Sequence, residues 1–150
     1  MSESLPTTKD PAIQFVFPNI ENESGEIERV AEHFKLDKGA FCAEFEARAA
    51  QARLEPLTEE VWSHLDNTES WSEIKAGDWD AVMHHALGNQ RPEWVHLRQK
   101  IESGVPVDAP IIVRKGDYLH LVSGNTRLMI SRAAGIIPNV LMVDMTSYAG

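Results

Sequence analysis

The chain has 150 residues, 43% of them hydrophobic, with a formal charge of -9 at pH 7. That is enough chain to bury a core without cross-links, and the single cysteine, Cys42, excludes an internal disulfide framework. No apolar run reaches the roughly 18 to 20 residues that cross a bilayer, so no membrane partner is expected. Met1-Ser2-Glu3-Ser4-Leu5 has no basic segment followed by an apolar one, so a cytoplasmic, reducing location is expected. The charge is uneven: residues 1–80 sum to -11 and residues 81–150 to +2. Nucleic-acid backbones are held by dense Lys and Arg that displace counterions. Direct nucleic-acid binding is therefore disfavoured, while a small anionic ligand near the C-terminal part fits the balance.

In chain order, residues 1–24 read as a flexible or irregular segment. Within it Ile13-Gln14-Phe15-Val16-Phe17 alternates as a short strand that Pro18 ends. Ser24 reads as the cap of a helix carrying Ile27, Val30, Ala31 and Phe34 at helical spacing. A second helix is expected over residues 39–54, stopped by Pro56. Residues 58–65 form a short capped helix, and residues 66–77 an irregular connector anchored by Trp71 and Ile74. Gly77-Asp78-Trp79-Asp80 opens a helix that Gly88-Asn89 closes. Arg91-Pro92-Glu93 opens another, with Pro92 at the first helical position, and Gly104 ends it.

The character then changes. Ile111-Ile112-Val113 is a β-branched run, Gly116-Asp117 sits where a hairpin turns, and Tyr118 to Val122 make a second strand. Thr126 to Ala134 read as a helix ended by Gly135, and residues 139–145 as a third, buried strand. The expected fold is α+β: one domain over residues 1–150, with a helix-rich elaboration (25–104) and a strand–turn–helix–strand motif (105–150). The strands form a small mixed sheet, extended by residues 13–17, and the last helix buries Leu128, Met129, Ala133 and Ile136 against it.

The informative segment is Leu121-Val122-Ser123-Gly124-Asn125-Thr126-Arg127-Leu128. A strand runs through a small-residue turn straight into a helix. The first helical turn exposes unpaired N–H groups and a partial positive charge, which together attract anions. Gly124 would let a ligand approach the backbone, and Ser123, Asn125 and Thr126 add side-chain donors. Arg127 opposes the helix dipole by roughly 0.3–1 kcal/mol, so something negative should face it. A bound phosphate or sulfate would do, and so would Asp117, Asp144 or an acid of the N-terminal half. His120 shares a strand face with Tyr118 and Val122 and is an accessory candidate, as a proton shuttle or a structural histidine.

Three stretches together resemble the ParB/sulfiredoxin-like superfamily. They are Ala109-Pro110-Ile111-Ile112-Val113, then Tyr118 through Arg127-Leu128, then Ala133-Ala134-Gly135-Ile136-Ile137-Pro138-Asn139-Val140. The shared pattern is a P-I-x-V strand, an L-V-x-G-x-x-R turn and a helix ending in G…I-P-x-V. The resemblance covers about a quarter of the chain. It implies a mixed-sheet fold and a nucleotide-phosphate cradle at Ser123, Gly124, Asn125, Thr126 and Arg127, with a nucleoside phosphate and magnesium as the ligand. It also implies phosphoryl transfer or nucleotide hydrolysis as the reaction, if there is one. Sulfiredoxins place a reactive cysteine and a histidine where this chain has Asn125 and Thr126, so their thiol chemistry is not expected. ParB proteins carry a more charged turn and a later helix-turn-helix, and neither is found here. Residues 62–88 are also similar to elaborations of small phage-type proteins.

Other candidates read more plainly. His84 and His85 are adjacent, not four apart, so they point to different sides of a helix and no metal site is expected. Cys42 reads as a small buried hydrophobe. Arg132 lies five residues beyond Arg127, on another face. The alternative function is a non-enzymatic acidic module, resembling a DNA mimic, that acts on a basic protein partner.

Overall fold

The computed structural model describes residues 15–149 and is an α+β fold. Its elements are β1 (Phe15–Val16), a 3-10 turn (Glu21–Glu23), α1 (Ser24–His33), α2 (Lys38–Gln51), β2 (Leu54–Pro56) and α3 (Glu59–Ser63). Then follow α4 (Trp79–Gly88), α5 (Trp94–Glu102), β3 (Val107–Asp108), β4 (Ile111–Lys115), β5 (Tyr118–Ser123), α6 (Asn125–Ala134) and β6 (Asn139–Asp144).

The main sheet has the order β2-β6-β4-β5. β4 and β5 form the expected hairpin, and Gly116 supplies the positive φ of 65° its turn needs. β6 runs parallel to β4, and β2 antiparallel to β6. Strand alternation splits the apolar side chains between two faces. Ile111, Val113, Val122, Leu141 and Val143 face α1 and α2, where they meet Ile27, Val30, Phe41 and Phe45. Ile112, Leu119, Leu121 and Val140 face the other way, onto Trp62 of α3 and Leu128 of α6. The outer side of α6 is covered in turn. Met129, Ile130 and Ala133 pack with Ile74, Val82 and Ala86 of the α4 region and with Trp94 and Ile101 of α5. α6 is thus an apolar layer between the sheet and two outer helices. Each fully buried aliphatic or aromatic side chain in these layers is worth about 1.5–3 kcal/mol relative to exposure.

Several expectations need correction. The strand at residues 13–17 shows only Phe15–Val16 among the described residues; positions 13 and 14 lie outside them. It does not extend the main sheet but pairs in parallel with β3. The outer strand beside β6 is instead β2, taken from what reads as the end of a helix; α2 stops at Gln51 so that residues 54–56 can join β6. Ser24 is the first residue of α1 and does not cap it. Pro92 lies before α5, which starts at Trp94. The left-handed residue after α4 is Gln90 (φ 58°), not Gly88 or Asn89. Side-chain caps do hold three helices: Asp37 accepts from the Ala40 amide, Thr58 from Val61 and Asp78 from Ala81. No helix among the described residues is long and apolar enough to cross a membrane.

Phe41 is fully buried and its ring touches Phe34, Phe45 and Tyr148. Phe41→Ala is expected to lower stability by about 3–5 kcal/mol, read as a fall in the urea midpoint at an unchanged slope.

Candidate functional site

The turn after β5 owes its shape to Gly124. Its φ of 105° suits glycine alone, and a Cβ there would lie 2.7 Å from Pro110 Cβ and 2.9 Å from Pro110 Cα. The space a side chain would need is therefore taken by Pro110. Gly124 thus has a packing reason to be small, the proline that leads into β4, beside the expected close approach of a ligand to its backbone. A register shift in the β4–β5 pairing falls beside it, between Ile111 and Ile112.

α6 begins at once, and no side chain caps it. The amides of Asn125, Thr126 and Arg127 precede the first intrahelical bond, from Leu128 N–H to the Gly124 carbonyl at 2.9 Å. Asn125 is oriented from below. Trp62 Nε1 donates to Ser70 Oγ (2.7 Å), the Ser70 and Thr68 hydroxyls are 2.8 Å apart, and Thr68 Oγ1 donates to Asn125 Oδ1 (2.6 Å). With its oxygen engaged, Asn125 has its amide NH2 left to give. Ser123 Oγ is sealed from solvent and has no hydrogen-bond partner.

Among the described residues neither Asp117, Asp144 nor an acid of the N-terminal half forms an ion pair with Arg127, though the charge of Glu23 acts on it. Among the described residues no carboxylate lies within 4.0 Å of its guanidinium. Instead Nη1 donates to the carbonyls of Asp108 and Ala109, tying α6 to the β3–β4 junction. Burial pulls its pKa down, and the charges of Glu23 and Asp108 pull it up; an arginine stays protonated throughout. Arg132 stays apart, as expected from its position. It stacks over Trp71 at 3.8 Å, and its Nε donates to the Ile74 carbonyl at 2.9 Å.

These groups form one wall of a cleft of about 570 Å³. Ser123, Gly124, Asn125, Thr126 and Arg127 all line it, so the structure brings the five sequence-derived site residues together. Arg29 and Arg91 line it too, as do Glu23, Glu26 and Glu93. Arg29 pairs with Glu26 at 3.1 Å. Three guanidiniums and three carboxylates therefore share the hollow, with asparagines 67, 89 and 125 between them.

A second, smaller hollow of about 240 Å³ shares Glu26, Arg29, Asn67 and Val122 with the first and is lined by His120 and His33. His120 sits in a cluster that the sequence did not announce. Residues 66–67 run beside β5, with Asp66 N–H donating to the Leu119 carbonyl and Leu121 N–H to the Asp66 carbonyl. Tyr118 Oη donates to Asp66 Oδ2 at 2.7 Å and lies 2.8 Å from His120 Nδ1 and 2.9 Å from His33 Nε2. The His33 ring stacks on His120 with centroids 4.5 Å apart. Burial, then the neighbouring His33, pushes the His120 pKa below its ordinary 6.5, against a smaller upward pull from Asp66. Burial and then Asp66 push Tyr118 up to about 12, while the Tyr118 hydrogen bond holds Asp66 below its usual range. Cys42 lies on α2 against the first core cluster, half-buried rather than buried as expected, and burial raises its thiol pKa.

Comparisons with protein-family models, with curated proteins and with solved structures return no match.

Two outcomes follow from this geometry. Gly124→Ala is expected to destabilise the chain by about 1–3 kcal/mol from backbone strain alone, with the Pro110 clash adding to it, read by urea denaturation. A depressed His120 means that the unfolded chain binds more protons than the folded one as the pH falls from about 6.5 to the lower folded value. Its contribution is complete above 6.5 and is lost as the pH falls toward and through the folded value. Urea midpoints should therefore drop between about pH 7.5 and pH 5, and His120→Gln should flatten that slope.

Proposed function

We propose that this chain binds nucleotide phosphate at the Ser123–Arg127 turn, as a divergent ParB/sulfiredoxin-like protein with phosphoryl-transfer or nucleotide-hydrolysing activity. The observation that carries the reading is the start of α6, uncapped by any side chain, with Asn125 and Arg127 beside it in the wall of one cleft. An anion in the cleft would take the first amides of α6, the Asn125 NH2 group and the guanidinium edge that Arg127 does not spend on carbonyls. At about 570 Å³ the cleft is in the range of small-molecule sites, and roomier than inorganic phosphate requires.

The carboxylates of Glu23, Glu26 and Glu93 shape the choice of ligand. They repel a bare polyphosphate, so the magnesium complex of a nucleoside di- or triphosphate is the favoured form. Magnesium keeps its own waters and binds one or two carboxylates beside phosphate oxygens.

The test is calorimetry with ATP, CTP, ADP and inorganic phosphate, each with and without magnesium. At least one nucleotide should bind more tightly than about 1 mM; if none does, the reading is wrong. Arg127→Ala is a blunt probe, because it also frees the carbonyls of Asp108 and Ala109. Asn125→Asp is the sharper one, since it keeps the oxygen that Thr68 holds and removes the NH2 donor. It should weaken nucleotide binding by about tenfold or more, the worth of one hydrogen bond to a charged group. An Asn125→Asp chain that binds as well as wild type would contradict the assignment.

A further inference from the structure

The cluster around Tyr118 has a protonation pattern that its distances dictate. Tyr118 Oη has three neighbours at hydrogen-bond distance, but a phenol carries one proton. Asp66 is an ionised carboxylate and only accepts, so the phenol proton points to it. Both imidazoles must then donate into the two lone pairs of the phenol oxygen. For His120 this fixes the proton on Nδ1 and leaves the lone pair on Nε2. Tyr118 resists ionisation, with its pKa pushed up to about 12, and so stays a neutral relay between Asp66 and His120.

His120 Nε2 has no partner among the described residues and is not among the sealed, unpaired atoms. Nε2 is thus not sealed, and His120 lines the smaller hollow, which shares Asn67, Val122, Glu26 and Arg29 with the main cleft. His33 is the exposed member of the pair, stacked across His120 as a cover. The charged and titratable groups that face His120 are Asp66 from the loop, Tyr118 from its own strand, and His33, Glu26 and Arg29 from α1; its partner on β4 is the neutral Val113.

We propose that His120 is the proton acceptor of this cleft, its tautomer set by Tyr118 and Asp66, and that it serves the attack of water on the terminal phosphate of a nucleotide seated at the Ser123–Arg127 turn. This role rests on the nucleotide-binding reading above. In the step, a water proton passes to Nε2 while the water oxygen forms a bond to the terminal phosphorus. The bond from that phosphorus to its bridging oxygen breaks, and the electron pair leaves on the nucleoside diphosphate. His120 then gives its proton back to solvent or product. Arg127 and the α6 amides meet the charge on the phosphoryl oxygens. Asp66 and Tyr118 act as positioning residues.

The experiment has three readouts on the full chain. Nitrogen-15 imidazole NMR without ligand should show His120 protonated at Nδ1 and bare at Nε2 at neutral pH, a pattern that Tyr118→Phe loses. Hydrolysis of magnesium ATP and CTP should fall about 100-fold in His120→Gln, the usual contribution of a general base, with the calorimetric Kd unchanged within about twofold. Tyr118→Phe should retain part of the rate and displace the acidic limb of its pH profile. A protonated Nε2 at neutral pH overturns the proposal, and so does wild-type binding without hydrolysis or with hydrolysis equal to that of His120→Gln. Absence of any nucleotide binding by the wild-type chain would instead bring down the reading of the cleft, and this role with it.

Discussion

Pro110 presses against Gly124, and the cleft takes its form from that contact. With no Cβ at Gly124, β5 can end against the chain that leads into β4, and α6 can begin directly over the edge of the sheet. Arg127 completes the junction by bonding back to the Asp108 and Ala109 carbonyls. The guanidinium thereby donates to two backbone acceptors of this part-buried junction. It is a strut first. Whatever it offers a ligand comes from the donors left over, and their direction is set by the two carbonyls.

The same junction explains the cleft's chemistry. Uncapped amides, a sealed hydroxyl and an oriented asparagine all sit within five consecutive residues, 123 to 127, because a strand passes into a helix with one residue between. Thr68, Ser70 and Trp62 hold Asn125 from the connector side, a chain of polar contacts in an otherwise apolar layer. Buried polar networks of this kind cost much when incomplete and fix a single arrangement when complete. Here the network ends on the Asn125 oxygen and leaves its NH2 group to donate.

Much of the fold was legible because its signals are local. The β-branched run at Ile111, the turn at Gly116 and the stop at Gly135 each act within a few residues, and β4, β5 and α6 lie where these placed them to within a residue. The site segment was legible for the same reason, since Ser123 to Arg127 are contiguous. β2 was not. Leu54–Pro56 has no strand pattern of its own and becomes a strand only because β6 offers an open edge. β1 likewise chose β3 over the main sheet. Arg127's partners were hidden because carbonyls are carried by every residue and leave no mark in the letters. The Tyr118 cluster was half visible: Tyr118 and His120 share a strand face by simple alternation, but Asp66 and His33 reach them from 52 and 85 residues away.

By itself, then, the order of residues determined the periodic elements, the helix-to-strand change of character, and a strand–glycine–helix turn that presents donors. Those properties depend on neighbours in the chain, through backbone sterics and side-chain alternation. Only the tertiary structure decided what stands opposite that turn: Pro110 behind Gly124, carbonyls under Arg127, three arginines and three glutamates around one hollow, and a tyrosine within hydrogen-bond distance of two histidines. Those pairings depend on which surfaces bury together, and packing brings together residues whose separation along the chain no local rule encodes.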